Sequence, residues 1–146
     1  METADRVRAH SGQAQNRKVD QEIDERVHSY AARSREEITA RIAELDREWD
    51  IERLLEMNAS ALAFTGLLLG VMRNKKWLLV PSIVLPFLFQ HATQGWCPPI
   101  PVLRRLGVRT RKEIEREKYA LKALRGDFQI SGEGDRAQAA LAGVKA

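Results

Sequence analysis

One cysteine, Cys97, gives the chain no second thiol for an intramolecular disulfide and no set of thiolates for a zinc site. The opening METADRVRAHSGQ has no apolar core of the kind a secretory signal needs, and the first apolar run begins only near Leu54. No cleaved targeting peptide is therefore expected. Catalytic patterns are missing as well: no Ser/His/Asp or Cys/His/Asn set assembles, no paired His/Glu helix motif suggests a metal, and GLLLG lacks the lysine of a phosphate-binding loop. The residues point to a non-enzymatic protein with no cofactor.

Charge is missing from two places and crowded everywhere else. Mean hydropathy is −0.39 and 30% of residues are charged, values that describe a soluble protein on average. Met57 to Met72 nevertheless carries no charged residue, and neither does Trp77 to Leu103. The first window, extended to Leu54, approaches the length of a membrane span of about 20 residues, and the second exceeds it. Trp77 and Trp96 bracket the second at a helical separation of about 28 Å, so they are expected as interfacial anchors. Only Arg73, Asn74, Lys75 and Lys76 separate the windows, which allows nothing but an antiparallel pair. The expected fold is an all-α membrane protein, a two-span transmembrane helical hairpin over residues 54–103, with spans at about 54–72 and 77–96.

Flanking segments complete that plan. Residues 1–18 are polar and aperiodic and read as a disordered tail. Over residues 19–53, Ile23, Val27, Tyr30, Ala31, Ile38, Ile42, Leu45 and Trp49 recur at helical steps, which predicts one long amphipathic helix. Ser34 and Glu52 interrupt its stripe. That helix serves either as a dimerising coiled coil or as a helix lying on the membrane or on the rest of the protein. Thr110 and Glu113 have capping-box spacing, Ile114, Leu121 and Leu124 follow on one face, and Gly126 supplies a stop, so a short C-terminal amphipathic helix is expected over 110–126. Residues 127–146 read as a flexible tail.

Orientation follows from basic residues. Arg41, Arg47 and Arg53 before the spans, with Arg104, Arg105, Arg109, Arg111, Lys112 and Arg116 after them, outnumber the three cations of the turn. The positive-inside rule places both termini in the cytoplasm. The same net charge of +4 would suit an acidic partner, so a soluble helical protein binding nucleic acid through its basic flanks is the contrasting expectation.

Within the spans a few residues stand out. Ala59, Ala63, Gly66 and Gly70 fall on one face, and the last two form a GxxxG, the small-residue surface that lets helices approach closely in lipid. It would serve either a homodimer or the partner span of the same hairpin. His91 is the one ionisable group inside the second span, either a proton or ligand carrier or a hydrogen-bond donor to the first span. Cys97 sits between Trp96 and Pro98, where the helix must end near the cytoplasmic interface. Arg104 and Arg105 would favour its thiolate, making it a candidate reactive thiol for sulfur, redox or metal handling; otherwise it is a small apolar residue.

Glu52-Arg53 before the first span, Gly66 and Gly70 within it, and the exit Gly95-Trp96-Cys97-Pro98 followed by Leu106-Gly107 resemble the YgaP-like bacterial inner-membrane family. The resemblance covers residues 58–107 or so. It implies a pair of transmembrane helices in the inner membrane and self-association. Some members place a rhodanese domain ahead of the hairpin; here the N-terminal half is helical and has no cysteine, so sulfur transfer does not carry over. The partners expected are the lipid bilayer, a second copy and a cytoplasmic protein.

Overall fold

A computed structural model describes residues 3–128. Among them every regular element is helical: α1 (Thr3–Ala9), α2 (Gln13–Tyr30), α3 (Arg35–Leu45), α4 (Ile51–Met72), a 3-10 turn (Lys75–Leu78), α5 (Leu79–Gln94), α6 (Ile100–Arg105) and α7 (Arg111–Arg125). They form two compact units. One holds α1 and the segment Trp49–Thr110; the other holds Gln13–Glu48 and, among the described residues, 111–128.

The second unit is a charged three-helix bundle. Val19, Ile23 and Val27 from α2, Ile38, Ile42 and Leu45 from α3, and Ile114, Leu121 and Leu124 from α7 make its core, the first two sets at three- or four-residue steps and the third at steps of seven and three, all on one helix face. The predicted stripe is thus real from Ile23 to Leu45, but Trp49, its last member, is exposed and lies in the other unit, and the predicted single helix over 19–53 is not formed. The chain breaks twice. Ser34, which looked like a flaw in the stripe, is the N-cap of α3: its Oγ accepts from the Glu37 backbone N–H at 3.3 Å, and Glu37 Oε2 accepts from the Ser34 N–H at 3.1 Å. This reciprocal box satisfies two donors that a helix start otherwise leaves unpaired. Asp50 caps α4 in one direction only, accepting from the Arg53 N–H at 2.7 Å. Replacing Ser34 with alanine is expected to destabilise the bundle by about 1 kcal/mol, read as faster amide exchange in α3; unchanged exchange would show that packing alone sets the helix start.

The predicted disordered tail over 1–18 is also corrected. Residues Thr3–Ala9 form α1, and α2 already begins at Gln13. Periodicity was silent there because, among the described side chains of α1, only Val7 enters a core. Helix α7 begins at Arg111, one residue after Thr110, and ends before Gly126, as the sequence predicts. Of the predicted flexible tail, 129–146 lie outside the described residues.

In the first unit α4 and α5 pack as an antiparallel pair joined by a tight turn. Asn74 organises that turn, its Oδ1 accepting from the Lys76 N–H at 3.0 Å, and Trp77 falls in the 3-10 turn rather than in the helix. Helix α4 has 22 residues, about 33 Å, and is long and apolar enough to cross a membrane; no other helix among the described residues is. Helix α5 has 16 residues, about 24 Å. Its C-cap is Gly95, at φ 73°, a left-handed conformation in which its N–H still donates to the His91 carbonyl at 2.7 Å. After the Pro98–Pro99 corner comes α6, which the sequence did not announce. The segment that follows returns to the start of α4, where the Ile51 N–H donates to the Arg109 carbonyl at 3.1 Å.

Candidate functional site

The small-residue face of α4 meets α5 and the turn before it. A Cβ placed at Gly66 would lie 2.7 Å from Pro81 Cδ and 2.9 Å from Val80 Cβ, and one at Gly70 would lie 2.5 Å from Leu78 Cδ2. Real Cβ atoms do not approach that closely, so both glycines are occupied by the hairpin's own second arm. Of the two partners the sequence left open for this face, the structure supplies the intramolecular one. Ala63 is half-buried on the same side, and Ala59 lies in the wall of a cavity.

That cavity lies between the first half of α4, the middle of α5 and the exit segment. It holds about 430 Å³, within the range of small-molecule pockets, and its walls are apolar. Leu55, Ala59 and Leu62 line it from α4, Ile83, Val84, Phe87 and Leu88 from α5, and Cys97, Pro98, Pro99 and Leu103 from the exit. Asn58 is the polar exception, and its amide is engaged, donating to the Leu54 carbonyl at 2.8 Å. A surface of this kind suits a hydrocarbon chain and offers little to orient a polar substrate.

Cys97 departs from the expected accessible, arginine-activated thiol. It is only 7% exposed, packed with Val7, Ile51, Leu55 and Ile100, and burial pushes its thiol above the usual value, away from the reactive thiolate. Arg104, expected to favour the thiolate, is itself buried, with Nη1 donating to the Val108 carbonyl at 3.4 Å. His91 is buried one turn before Gly95, and its Nδ1 has no hydrogen-bond partner among the described residues, so that nitrogen makes no bond to α4. Trp77 is exposed, whereas Trp96 is partly buried. No cluster of three or more His, Cys, Asp or Glu suited to a metal ion occurs among the described residues.

The sequence reading missed a second constellation altogether. Glu117 of α7 is fully buried: its Oε2 accepts from Arg26 Nε at 3.1 Å, and its Oε1 accepts from Arg41 Nε at 3.1 Å and Nη2 at 3.0 Å. Arg116 beside it bridges Asp20 and Asp24 at 2.8 Å each, and Lys118 pairs with Asp46. The available signal was Glu117 standing between Ile114 and Leu121 on the apolar face of α7. These groups are mutually neutralised, which makes them a bundle lock rather than a site that awaits a ligand. Compared with known proteins, the chain matches no family model, no curated protein and no solved structure.

Proposed function

We propose that the chain is a non-enzymatic integral membrane protein of the bacterial inner membrane, anchored by α4 and α5 as a two-span hairpin, with both termini in the cytoplasm. One observation carries this reading: both arms turn large apolar side chains outward. Val71, Met72 and Phe89 are 77%, 79% and 71% exposed, and Phe64, Leu67, Leu79, Ile83 and Leu85 are exposed with them. Contiguous apolar surface of this extent needs a cover. Only 17% of the most apolar stretch of α4 is buried, the reverse of a core helix in a soluble bundle.

Two further features support the second span. With the 3-10 turn, the second arm gains about 8 Å and reaches about 32 Å, close to a hydrocarbon core of about 30 Å. Chain topology adds a parity argument. Helices α2 and α3 precede the hairpin, α7 follows it, and all three share one charged core, so the intervening segment must cross a bilayer an even number of times. Kinship with the YgaP-like inner-membrane family belongs to the same proposal, carried by Glu52-Arg53, Gly66, Gly70 and the Gly95-Trp96-Cys97-Pro98 exit. The bundle then presents a solvated, charged surface to a cytoplasmic protein or to a second copy.

Washing membranes with alkaline carbonate is the direct test. The protein is expected to stay in the pellet and to be released only by detergent, with reporters at Asn74 and after Ala146 reading opposite sides. Release by carbonate or salt would sink the proposal and make the outward faces a contact surface for a soluble partner.

A further inference from the structure

Cys97 is covered by a segment far from it in sequence. Val7 of α1, fully buried, shares one apolar cluster with Cys97, Ile51, Leu55 and Ile100. Its neighbour Arg6 reaches the end of α5, where Nη1 donates to the Thr93 carbonyl at 2.7 Å and approaches the Ala92 carbonyl at 3.5 Å. The last carbonyls of a helix lack helical partners and carry the negative end of its dipole, so a guanidinium is well placed there. The stem of Arg6 also crosses Gly95 closely: a Cβ at Gly95 would stand 2.3 Å from Arg6 Cβ. A side chain at position 95 and a seated α1 exclude one another.

These contacts are few for the element they hold. Helix α1 has seven residues, well below the dozen or so that persist alone, and among its described side chains only Val7 is buried in a core. Its opening therefore belongs to the low-cost end of local unfolding. Helix α6 also touches Cys97, but Ile100 donates its N–H to the Cys97 carbonyl at 3.0 Å and so stays with the thiol. Ile51 and Leu55 also pack with Cys97, but they belong to the 22-residue α4, so of the three elements over the thiol α1 is the one that lifts away.

We propose that α1 is a releasable strap over Cys97, latched by Arg6 on the end of α5: seated, it shields the thiol; lifted, it opens the Cys97 wall of the apolar cavity to electrophiles. This device goes beyond membrane anchoring and does not rest on it.

The test is the rate at which N-ethylmaleimide modifies the full-length protein in mild detergent, read by mass. With one cysteine in the chain, each adduct reports Cys97. The wild type is expected to react far more slowly than the protein in denaturing detergent. Arg6→Ala is expected to react at least tenfold faster than wild type, and Gly95→Ala likewise, because its methyl displaces the Arg6 stem from the other side. Gly107→Ala is the control: Gly107 also has a positive φ, 83°, but nothing lies within 4 Å of its added Cβ, so it imposes strain without touching the strap. It is expected to react at the wild-type rate. Wild-type rates in Arg6→Ala or in Gly95→Ala would overturn the proposal. Equal acceleration in Gly107→Ala and Gly95→Ala would also overturn it, since general loosening would then explain the reactivity.

Discussion

Glu117→Ala is expected to open the α2–α3–α7 bundle while leaving the hairpin intact. The carboxylate is fully buried and accepts three hydrogen bonds from Arg26 and Arg41, whose side chains are themselves largely withdrawn from solvent. Removing one member of such a group strands the others, at a cost of about 3–5 kcal/mol. The lower end applies, because Arg26 retains about a third of its exposure and a contact to Glu22. Even about 3 kcal/mol is a large share of an ordinary domain's stability of about 5–15 kcal/mol. With two units in the chain, a single melting curve would mix them. Hydrogen exchange resolved by segment is the better measurement: protection should collapse in α2, α3 and α7 and persist in α4. Asp20→Ala is the contrast, since its partner Arg116 keeps Asp24 and Asp20 is itself about a third exposed where Glu117 is fully buried, so the loss is expected nearer the about 0–1 kcal/mol of an exposed pair. Equal losses from the two substitutions would show that the Glu117 network adds no more than a surface pair.

Gly66→Ala is expected to loosen the hairpin more than Gly70→Ala does. Both glycines lie in contact with the second arm, but their neighbours differ in stiffness. At Gly66 the added methyl meets the Pro81 ring and Val80 Cβ, which cannot turn aside, while at Gly70 it meets the far end of Leu78, which rotates. Overpacking of the first kind costs about 1–3 kcal/mol, and in a bilayer helix pairing depends on this close approach. All three tryptophans, Trp49, Trp77 and Trp96, belong to the hairpin unit, so their fluorescence during heating in detergent reports that unit alone. The Gly66 variant should melt first, with its oligomeric state unchanged. If it instead melts like wild type and loses self-association, the small-residue face serves a second copy.

The elements were legible in the sequence where one helix face carries many apolar side chains. Ile23, Val27, Ile38 and Ile42, or the uncharged run of α4, declare themselves by spacing. Elements held by single contacts were not. Helix α1 depends on Arg6 meeting carbonyls at positions 92 and 93, and no local pattern encodes a partner so remote. Ser34 shows a different failure: a polar residue within a stripe reads as a defect until Glu37, three positions on, is taken with it. For the site, Gly66 and Gly70 were legible as a packing surface, but only geometry chose the partner. Cys97 was identified correctly as the lone thiol and misjudged in exposure, because part of what buries it, Val7, comes from the other end of the chain and Ile51 and Leu55 come from the start of α4. Glu117 went unseen for the same reason, its two arginines lying on α2 and α3.

The order in which the ribosome releases these helices gives the bundle a timetable. Helices α2 and α3 emerge early, yet the α7 face that completes their core, Ile114, Leu121 and Leu124, is not made until the entire hairpin has been synthesised. At about 5–20 residues per second, the half-built core waits on the order of 4–16 s with Ile23, Val27, Ile38 and Ile42 uncovered. Closure then doubles as inspection: only a nascent chain that has brought α7 back to α2 and α3 completes its core, and one that has not keeps that apolar face open to chaperones and proteases.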